Sequence, residues 1–146
     1  CVSNDEGELL IKGSSEWAVV DCEKRKLAPS AGVYPEMEFL TDKNYDGRLP
    51  RLHDFEQTGE GVDIVPTFSD IDCNGHVNNI KYAIYVVNAV SPHEDAVITD
   101  FQIDYHKEIQ PGERITLYHK REGNTVFAKG VNRSGDNMFL CKFEMI

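Results

Sequence analysis

The 146-residue sequence contains no apolar run long enough to cross a membrane. Its longest nearly apolar stretch, residues 80–90, is interrupted by Lys81 and Asn88 and is far shorter than the roughly 20 residues that a bilayer requires. Basic residues are also in deficit, with 15 Lys and Arg against 25 Asp and Glu and a formal net charge of −10. A surface of this sign repels a phosphate backbone, so we expect neither a membrane span nor a nucleic-acid partner.

Cysteine is scarce and widely spaced, at positions 1, 22, 73 and 141. No two of these residues have the close spacing of a zinc knuckle or of a redox CxxC pair. No signal peptide is visible either, so we expect reduced thiols in a cytoplasmic protein. The chain begins at Cys1 with sequence typical of the middle of a domain. We therefore expect a piece of a longer protein. The sequence leaves open whether a plastid-targeting segment precedes Cys1.

The first part of the chain predicts strand followed by linker. Aliphatic and aromatic residues predict strand over residues 7–22, with a polar break at 13–15. Residues 28–58 are polar, lack periodicity and contain several Pro and Gly. This composition is typical of a linker, within which we predict one short helix around residues 36–40.

The second part predicts one helix and a sheet. Asn78 is placed to cap a helix over residues 79–90, and this segment is apolar on nearly every side, which predicts a buried helix. The turns between the later strands are short and favour antiparallel hairpins, giving a four-strand meander. A sheet curled around one buried helix is an α+β layout. The predicted strands cover residues 62–65, 97–107, 114–121, 125–132 and 138–145.

The loop before the predicted helix concentrates polar side chains. A His in such a loop can relay protons, an Asn amide can hold a carbonyl oxygen, and a carboxylate can orient the His or act as a base. Asp and Asn residues also form turns and helix caps, so the composition alone leaves a catalytic and a structural interpretation open. The residues concerned are Asp70, Asp72, Cys73, Asn74, His76, Asn78 and Asn79.

The order of these residues adds a resemblance. Asp70-Ile-Asp-Cys-Asn-Gly-His-Val-Asn-Asn-Ile-Lys-Tyr82 resembles the D-x-D-x-N-x-H-V-N-N-x-x-Y segment of acyl-acyl carrier protein thioesterases, which are built from two fused hotdog domains. Leu49-Pro-Arg-Leu52 resembles the interdomain segment of that family, and Asp104-Tyr-His-Lys-Glu108 resembles one of its strand ends. The resemblance implies that residues 1–27 are the terminal strands of a first, largely missing hotdog. It implies likewise that 28–58 is the linker and 59–146 is the second, catalytic hotdog.

The same resemblance implies a site and a reaction. Asp72, Asn74 and His76 match the catalytic Asp, Asn and His of the family, and Glu108 matches its downstream acidic residue. The implied reaction is hydrolysis of the thioester of acyl-acyl carrier protein, which releases a free fatty acid and ends chain elongation in fatty acid biosynthesis. The acyl carrier protein with its acyl chain is the implied partner, and no metal or cofactor is implied.

Two details of the site depend on the fold. Strict alternation along the strand 97–107 would turn Glu108 away from the helix, so we expect either a bulge near Pro111 that re-aims it or a site served from the opposite side. Plant members of the family carry a Cys directly after the matching Glu, whereas this chain has Ile109. A Cys nucleophile at that position is therefore excluded. Cys73 lies near His76 and is a second candidate thiol, although the family motif does not require it.

Three functions compete at this point. The first is hydrolysis of acyl-acyl carrier protein, the second is a hotdog acyl-CoA thioesterase or dehydratase, and the third is a hotdog that binds acyl groups without catalysis. The Asn-x-His-Val-Asn-Asn core favours the first. A lone hotdog sheet has unpaired edges and an open apolar face, so we expect pairing with another hotdog unit, within one chain or in a homodimer.

Overall fold

The computed structural model of the chain describes residues 1–21, 23–24, 26–29, 49–57 and 59–146. They belong to two compact units, Cys1–Pro50 and Arg51–Ile146. The predicted short helix at 36–40 and most of the predicted linker at 28–58 lie outside the described residues.

The first unit contains two short antiparallel ribbons. β1 (Val2–Ser3) pairs with β2 (Leu9–Ile11), and β3 (Val19–Asp21) pairs with β4 (Lys26–Ala28). The segment 7–22, predicted as strand with a polar break at 13–15, contains the two separate strands β2 and β3, one on each side of that break.

The described residues of the second unit form one α-helix, one short 3-10 helix (Phe68–Asp70) and one antiparallel sheet, which confirms the predicted α+β layout. The sheet order is β5-β7-β8-β9-β6, and the helix α1 follows β5 along the chain. Its elements are β5 (Val62–Ile64), α1 (Asn79–Val90), β6 (Ile98–Tyr105), β7 (Ile115–Glu122), β8 (Thr125–Asn132) and β9 (Asn137–Met145).

The predicted four-strand meander is only partly correct. The hairpins β7–β8 and β8–β9 form as expected, but β6 pairs with β9 and lies at the edge of the sheet. The Pro111-Gly112 turn does not make a hairpin, because it lies inside a longer connection, residues 106–114. Ile109 in this connection is fully buried, so the connection contributes one side chain to the core between β6 and β7.

The helix is buried on one side only, which corrects the expectation that this nearly all-apolar segment forms a buried helix. Its inner face, formed by Tyr82, Tyr85 and Val86, packs in one cluster with Leu117, Phe139 and Phe143 of the sheet. The opposite, outer face is apolar but partly open to solvent, with Ile80 at 61 % and Ile84 at 41 % relative exposure. One sheet can cover only one face of a helix, so apolarity all round did not require burial all round within this unit. The outer face comprises Ile80, Ala83, Ile84 and Val87.

Residues just before β5 are fastened to the same sheet. The Leu52 backbone N–H donates to Asp104 Oδ2 at 2.7 Å. Lys129, a buried cation on β8, lies 2.6 Å from Asp54 Oδ1 and donates to the Phe55 carbonyl at 2.6 Å. A buried charge is tolerated when it is paired in this way, so these contacts fix residues 52–55 against the sheet.

Candidate active site

The loop before α1 is a tight turn with its own backbone bonds. Ile71 and Val77 form an antiparallel bridge, and the Asp72 N–H donates to the His76 carbonyl at 2.8 Å. Gly75 has φ +80°, a conformation that costs glycine little and other residues more. Asn78 then caps the helix as predicted, its Oδ1 accepting the Ile80 N–H at 3.0 Å. The turn therefore presents residues 72–76 at the start of α1.

The Asp72 side chain stabilises this turn through hydrogen bonds to the backbone of the turn itself. Its Oδ1 accepts the Asn74 N–H at 2.8 Å and the His76 N–H at 3.4 Å. Asp side chains stabilise turns by such bonds to the backbone that follows. The cysteine and asparagine between them, Cys73 and Asn74, are exposed. The structure thus gives Asp72 a direct role in shaping the loop and leaves Asn74 accessible.

His76 and Glu108 come together although 32 positions separate their numbers. His76 Nε2 lies 3.3 Å from Glu108 Oε2, with 37 % and 68 % of the two side chains exposed. Strand alternation does not govern Glu108, because β6 ends at Tyr105 and Glu108 lies in the connection that follows. Neither of the two expected arrangements, a bulge near Pro111 or approach from the opposite side, is needed. An accessible imidazole–carboxylate pair can move a proton.

Hydrogen bonds of the Ile109 backbone join the residue after Glu108 to the residue after His76 and to α1. The Val77 N–H donates to the Ile109 carbonyl at 3.3 Å, and the Ile109 N–H donates to the Tyr82 hydroxyl at 3.0 Å. Burial raises the pKa of Tyr82, with smaller contributions from nearby carboxylates, so its hydroxyl is neutral near pH 7. Tyr82 was not among the predicted site residues; its place in the motif, six residues after His76, was the available signal.

Asp70 has a different task from Asp72. It is 8 % exposed, accepts both the backbone N–H and the hydroxyl of Thr67, and lies 3.0 Å from Lys81 Nζ on α1. The Thr67 N–H, together with Lys81, holds the pKa of Asp70 well below its usual range. Burial, together with the Asp70 charge, raises the pKa of Tyr85. The Thr67-x-x-Asp70 spacing, typical of a capping box, was the sequence signal for this anchor.

The described ranges contain no grouping of side chains suited to a metal ion. Among residues 1–21, 23–24, 26–29, 49–57 and 59–146, no three His, Cys, Asp or Glu side chains are placed so that they would hold one. The side chains available for chemistry at this site are the His76–Glu108 pair, the Asn74 amide and the Cys73 thiol.

Comparison with known families decides where this fold and loop belong. Residues 55–143 match the family model of the acyl-ACP thioesterase C-terminal domain. The chain belongs to this family. The matched range contains the turn, the helix and Glu108.

Curated relatives within this family are longer than the chain. The palmitoyl-acyl carrier protein thioesterase of Cuphea hookeriana is 28% identical over an alignment of length 113 that covers 70% of this chain and 27% of the relative. The oleoyl-acyl carrier protein thioesterase 2 of Arabidopsis thaliana is 25% identical over an alignment of length 147 that covers 88% of this chain and 39% of the relative. Both are chloroplastic. The chain thus spans between about a quarter and two fifths of the length of these relatives.

Solved structures confirm the fold. The acyl-ACP thioesterase from Bacteroides thetaiotaomicron superposes with a TM-score of 0.72 at 18% identity, covering 87% of this chain and 53% of that one. The 12:0-ACP thioesterase from Umbellularia californica gives a TM-score of 0.68 at 21% identity, covering 87% and 52%. This likeness confirms the predicted hotdog fold.

Proposed function

We propose that this chain carries the reacting residues of a thioester hydrolase that acts on acyl-acyl carrier protein and releases the free fatty acid. The observation that carries the proposal is the 3.3 Å contact between His76 Nε2 and Glu108 Oε2, beside a turn that exposes Asn74, in a chain of the acyl-ACP thioesterase family. The reaction ends chain elongation in fatty acid biosynthesis.

The geometry supports a water-based mechanism. Glu108 is the more exposed member of the pair, and its described contact is with His76, whereas Asp72 Oδ1 is already bonded to two backbone N–H groups. In the proposed step the His76–Glu108 pair takes a proton from water while the water oxygen attacks the thioester carbon. The tetrahedral intermediate then expels the carrier thiolate, which receives the proton. The Asn74 amide donates to the carbonyl oxygen of the thioester as this oxygen becomes negative. Asp72 stabilises the turn that carries Asn74 and His76.

Two substitutions test the pair directly. His76→Ala and Glu108→Gln should each lower kcat on an acyl-acyl carrier protein by at least ~10²-fold, the usual loss of a general acid–base group. Thermal stability should change little, because both side chains are accessible. His119→Ala, an exposed histidine on β7, is the matched control and should keep parental turnover. Near-parental turnover by His76→Ala would remove this residue from the mechanism.

A comparison of two substrates tests whether the acyl chain is carried by acyl carrier protein or by CoA. The same acyl chain should be presented on acyl carrier protein and on CoA, and kcat/KM measured for both. We expect turnover on both thioesters and a higher kcat/KM on the carrier protein. Higher kcat/KM on CoA would make the chain an acyl-CoA hydrolase, and binding without turnover of either would make it an acyl-binding hotdog.

The partner unit and the location form the finer part of the proposal. We propose that another hotdog unit, in the same chain or in a second copy, covers the outer face of α1, since a contiguous apolar surface of this kind marks an interaction site. None of the helices formed by the described residues is long and apolar enough to span a membrane. We place the activity where acyl carrier protein is found, in the cytoplasm of a bacterial-type cell or in a plastid, as for the chloroplastic relatives. Imaging of the tagged protein beside acyl carrier protein tests this placement.

A further inference from the structure

Tyr82 combines a buried ring with a polar atom that reaches the connection carrying Glu108. Only 2 % of the residue is exposed, and its ring meets Tyr105 and Phe139 edge to face, with centroids 5.2 and 5.3 Å away. Its hydroxyl accepts the Ile109 N–H at 3.0 Å. Phenylalanine would satisfy the ring contacts equally well, so core packing alone does not account for the hydroxyl at this position.

Both backbone polar groups of Ile109, its N–H and its carbonyl, form hydrogen bonds. The residue is fully buried, its N–H is bonded to Tyr82, and its carbonyl accepts the N–H of Val77 at 3.3 Å. Val77 directly follows His76, and Ile109 directly follows Glu108. One bond therefore joins the backbone beside Glu108 to the backbone beside His76, and the other joins it to the first turn of α1.

We propose that Tyr82 is a positioning residue of this site: by holding the Ile109 N–H, its hydroxyl keeps Glu108 within contact distance of His76. The inference rests on the proposed function, since it assigns Tyr82 a part in the step that His76 and Glu108 carry out. Only 2 % of Tyr82 is exposed, so we assign it no contact with the substrate or the reacting atoms. Its effect on the reaction passes through the backbone of the 106–114 connection.

The test is a double-mutant cycle in the full chain with Tyr82→Phe and Glu108→Gln. Tyr82→Phe should lower kcat roughly tenfold, about the effect of one lost hydrogen bond, with KM within about twofold of the parent. In the Glu108→Gln background the same change should lower kcat less than about twofold, because the side chain being positioned has lost its function. Hydrogen exchange of the Ile109 amide should be faster in Tyr82→Phe.

Tyr85→Phe is the matched control. Tyr85 is also buried on the inner face of α1, but its hydroxyl lies near Asp70. Any effect of Tyr85→Phe on kcat should be the same in the parent and in the Glu108→Gln background. Equal effects of Tyr82→Phe in the two backgrounds would show that Tyr82 acts only through general stability and would overturn the proposal.

Failure of the proposal and failure of the proposed function give different results. If Glu108→Gln keeps parental turnover, the assigned role of Glu108 is wrong and the positioning role has no target. If Glu108→Gln is impaired while Tyr82→Phe keeps parental kcat, only the inference about Tyr82 is wrong. Should Tyr82→Phe fail to fold, a backbone ester in place of the Glu108–Ile109 amide removes the same N–H and leaves Tyr82 intact. A folded ester variant with parental kcat would overturn the proposal.

Discussion

The anchored and the open parts of the second unit can be compared through pairs of identical residues. Val86 is fully buried on the inner face of α1, whereas its neighbour Val87 lines a groove of about 440 Å³ on the outer face. Asp70 is buried and bonded to Thr67 and Lys81, whereas Asp72 braces an accessible turn. The third pair is Cys141, which is buried, and Cys73, which is exposed.

The comparison shows how one short stretch of chain can be both rigid and accessible. The anchored member of each pair lies in the sheet, on the inner face of the helix or where the loop meets the helix, and the open member lies at the turn or on the outer face. Residue type alone does not distinguish them, because each pair is chemically identical. Predictions that treat the two members separately therefore test the fold and the site at the same time.

The largest difference in stability is expected between substitutions of the two valines. Val86→Asp places an unpaired charge in the core, which costs several kcal/mol and is comparable with the whole stability of a domain. Val87→Asp has the same helix propensity cost, but its carboxylate reaches solvent along the outer face. We expect Val86→Asp to be unfolded by circular dichroism at 25 °C and Val87→Asp to melt cooperatively.

Sedimentation velocity adds the second half of this test. If the outer face of α1 binds another hotdog unit, Val87→Asp should weaken that association while it preserves the fold. Equal melting of the two variants would show that the two faces do not differ in burial. Unchanged association by Val87→Asp would contradict the proposed pairing through this face.

Local sequence patterns predicted the parts of the unit that depend on neighbouring residues. The helix spans Asn79–Val90 with Asn78 as its cap, as predicted, because capping depends on a side chain and the next few N–H groups. The hairpins β7–β8 and β8–β9 were predicted for the same reason, since short Gly-containing turns leave the chain few alternatives.

Contacts between distant residues could not be predicted in this way. The place of β6 beside β9 depends on a connection that links β6 to β7 past two intervening strands, and alternation along a strand says nothing of where that strand ends. The 3.3 Å contact of His76 with Glu108 depends on the path of this connection and on the end of β6 at Tyr105. The family resemblance named these two residues, but only the fold shows their contact and the Val77–Ile109 hydrogen bond beside it.

A smaller difference in stability is expected for the two aspartates. Asp70→Asn removes the charge that Thr67 and Lys81 stabilise, and hydrogen bonds to charged groups contribute roughly 1.5–3 kcal/mol. Asp72→Asn keeps an oxygen that can accept the N–H groups of Asn74 and His76, so its stability should change by less than about 0.5 kcal/mol. Urea unfolding of both variants measures the difference, and similar losses would contradict the assignment of Asp70 as the anchor.

The pH dependence of the unfolding free energy tests whether the charge of Asp70 causes the stability loss in Asp70→Asn. The pKa of Asp70 is lowered in the folded state, so its carboxylate stabilises the fold fully above the unfolded value of about 3.9. This contribution is lost as the pH falls through the still lower folded pKa. The gap in unfolding free energy between the parent and Asp70→Asn should therefore be constant above about pH 5 and should narrow below about pH 4. A gap that widens in acid would mean that the charge of Asp70 is not what stabilises the loop.

The smallest effect on activity is expected for the exposed thiol. Cys73 lies in the turn beside Asn74, and a Cys near a His can act as a nucleophile, but the water-based mechanism requires no thiol. Cys73→Ser should therefore keep kcat within about twofold of the parent, whereas loss of a nucleophile costs orders of magnitude. Burial raises the pKa of Cys141 to about 12, so this thiol carries almost no thiolate near pH 7 and cannot replace Cys73. Rapid quenching of the parent followed by mass spectrometry should find no acyl group on either cysteine. An inactive Cys73→Ser together with an acylated Cys73 would instead establish covalent catalysis and reduce His76 and Glu108 to activators of that thiol.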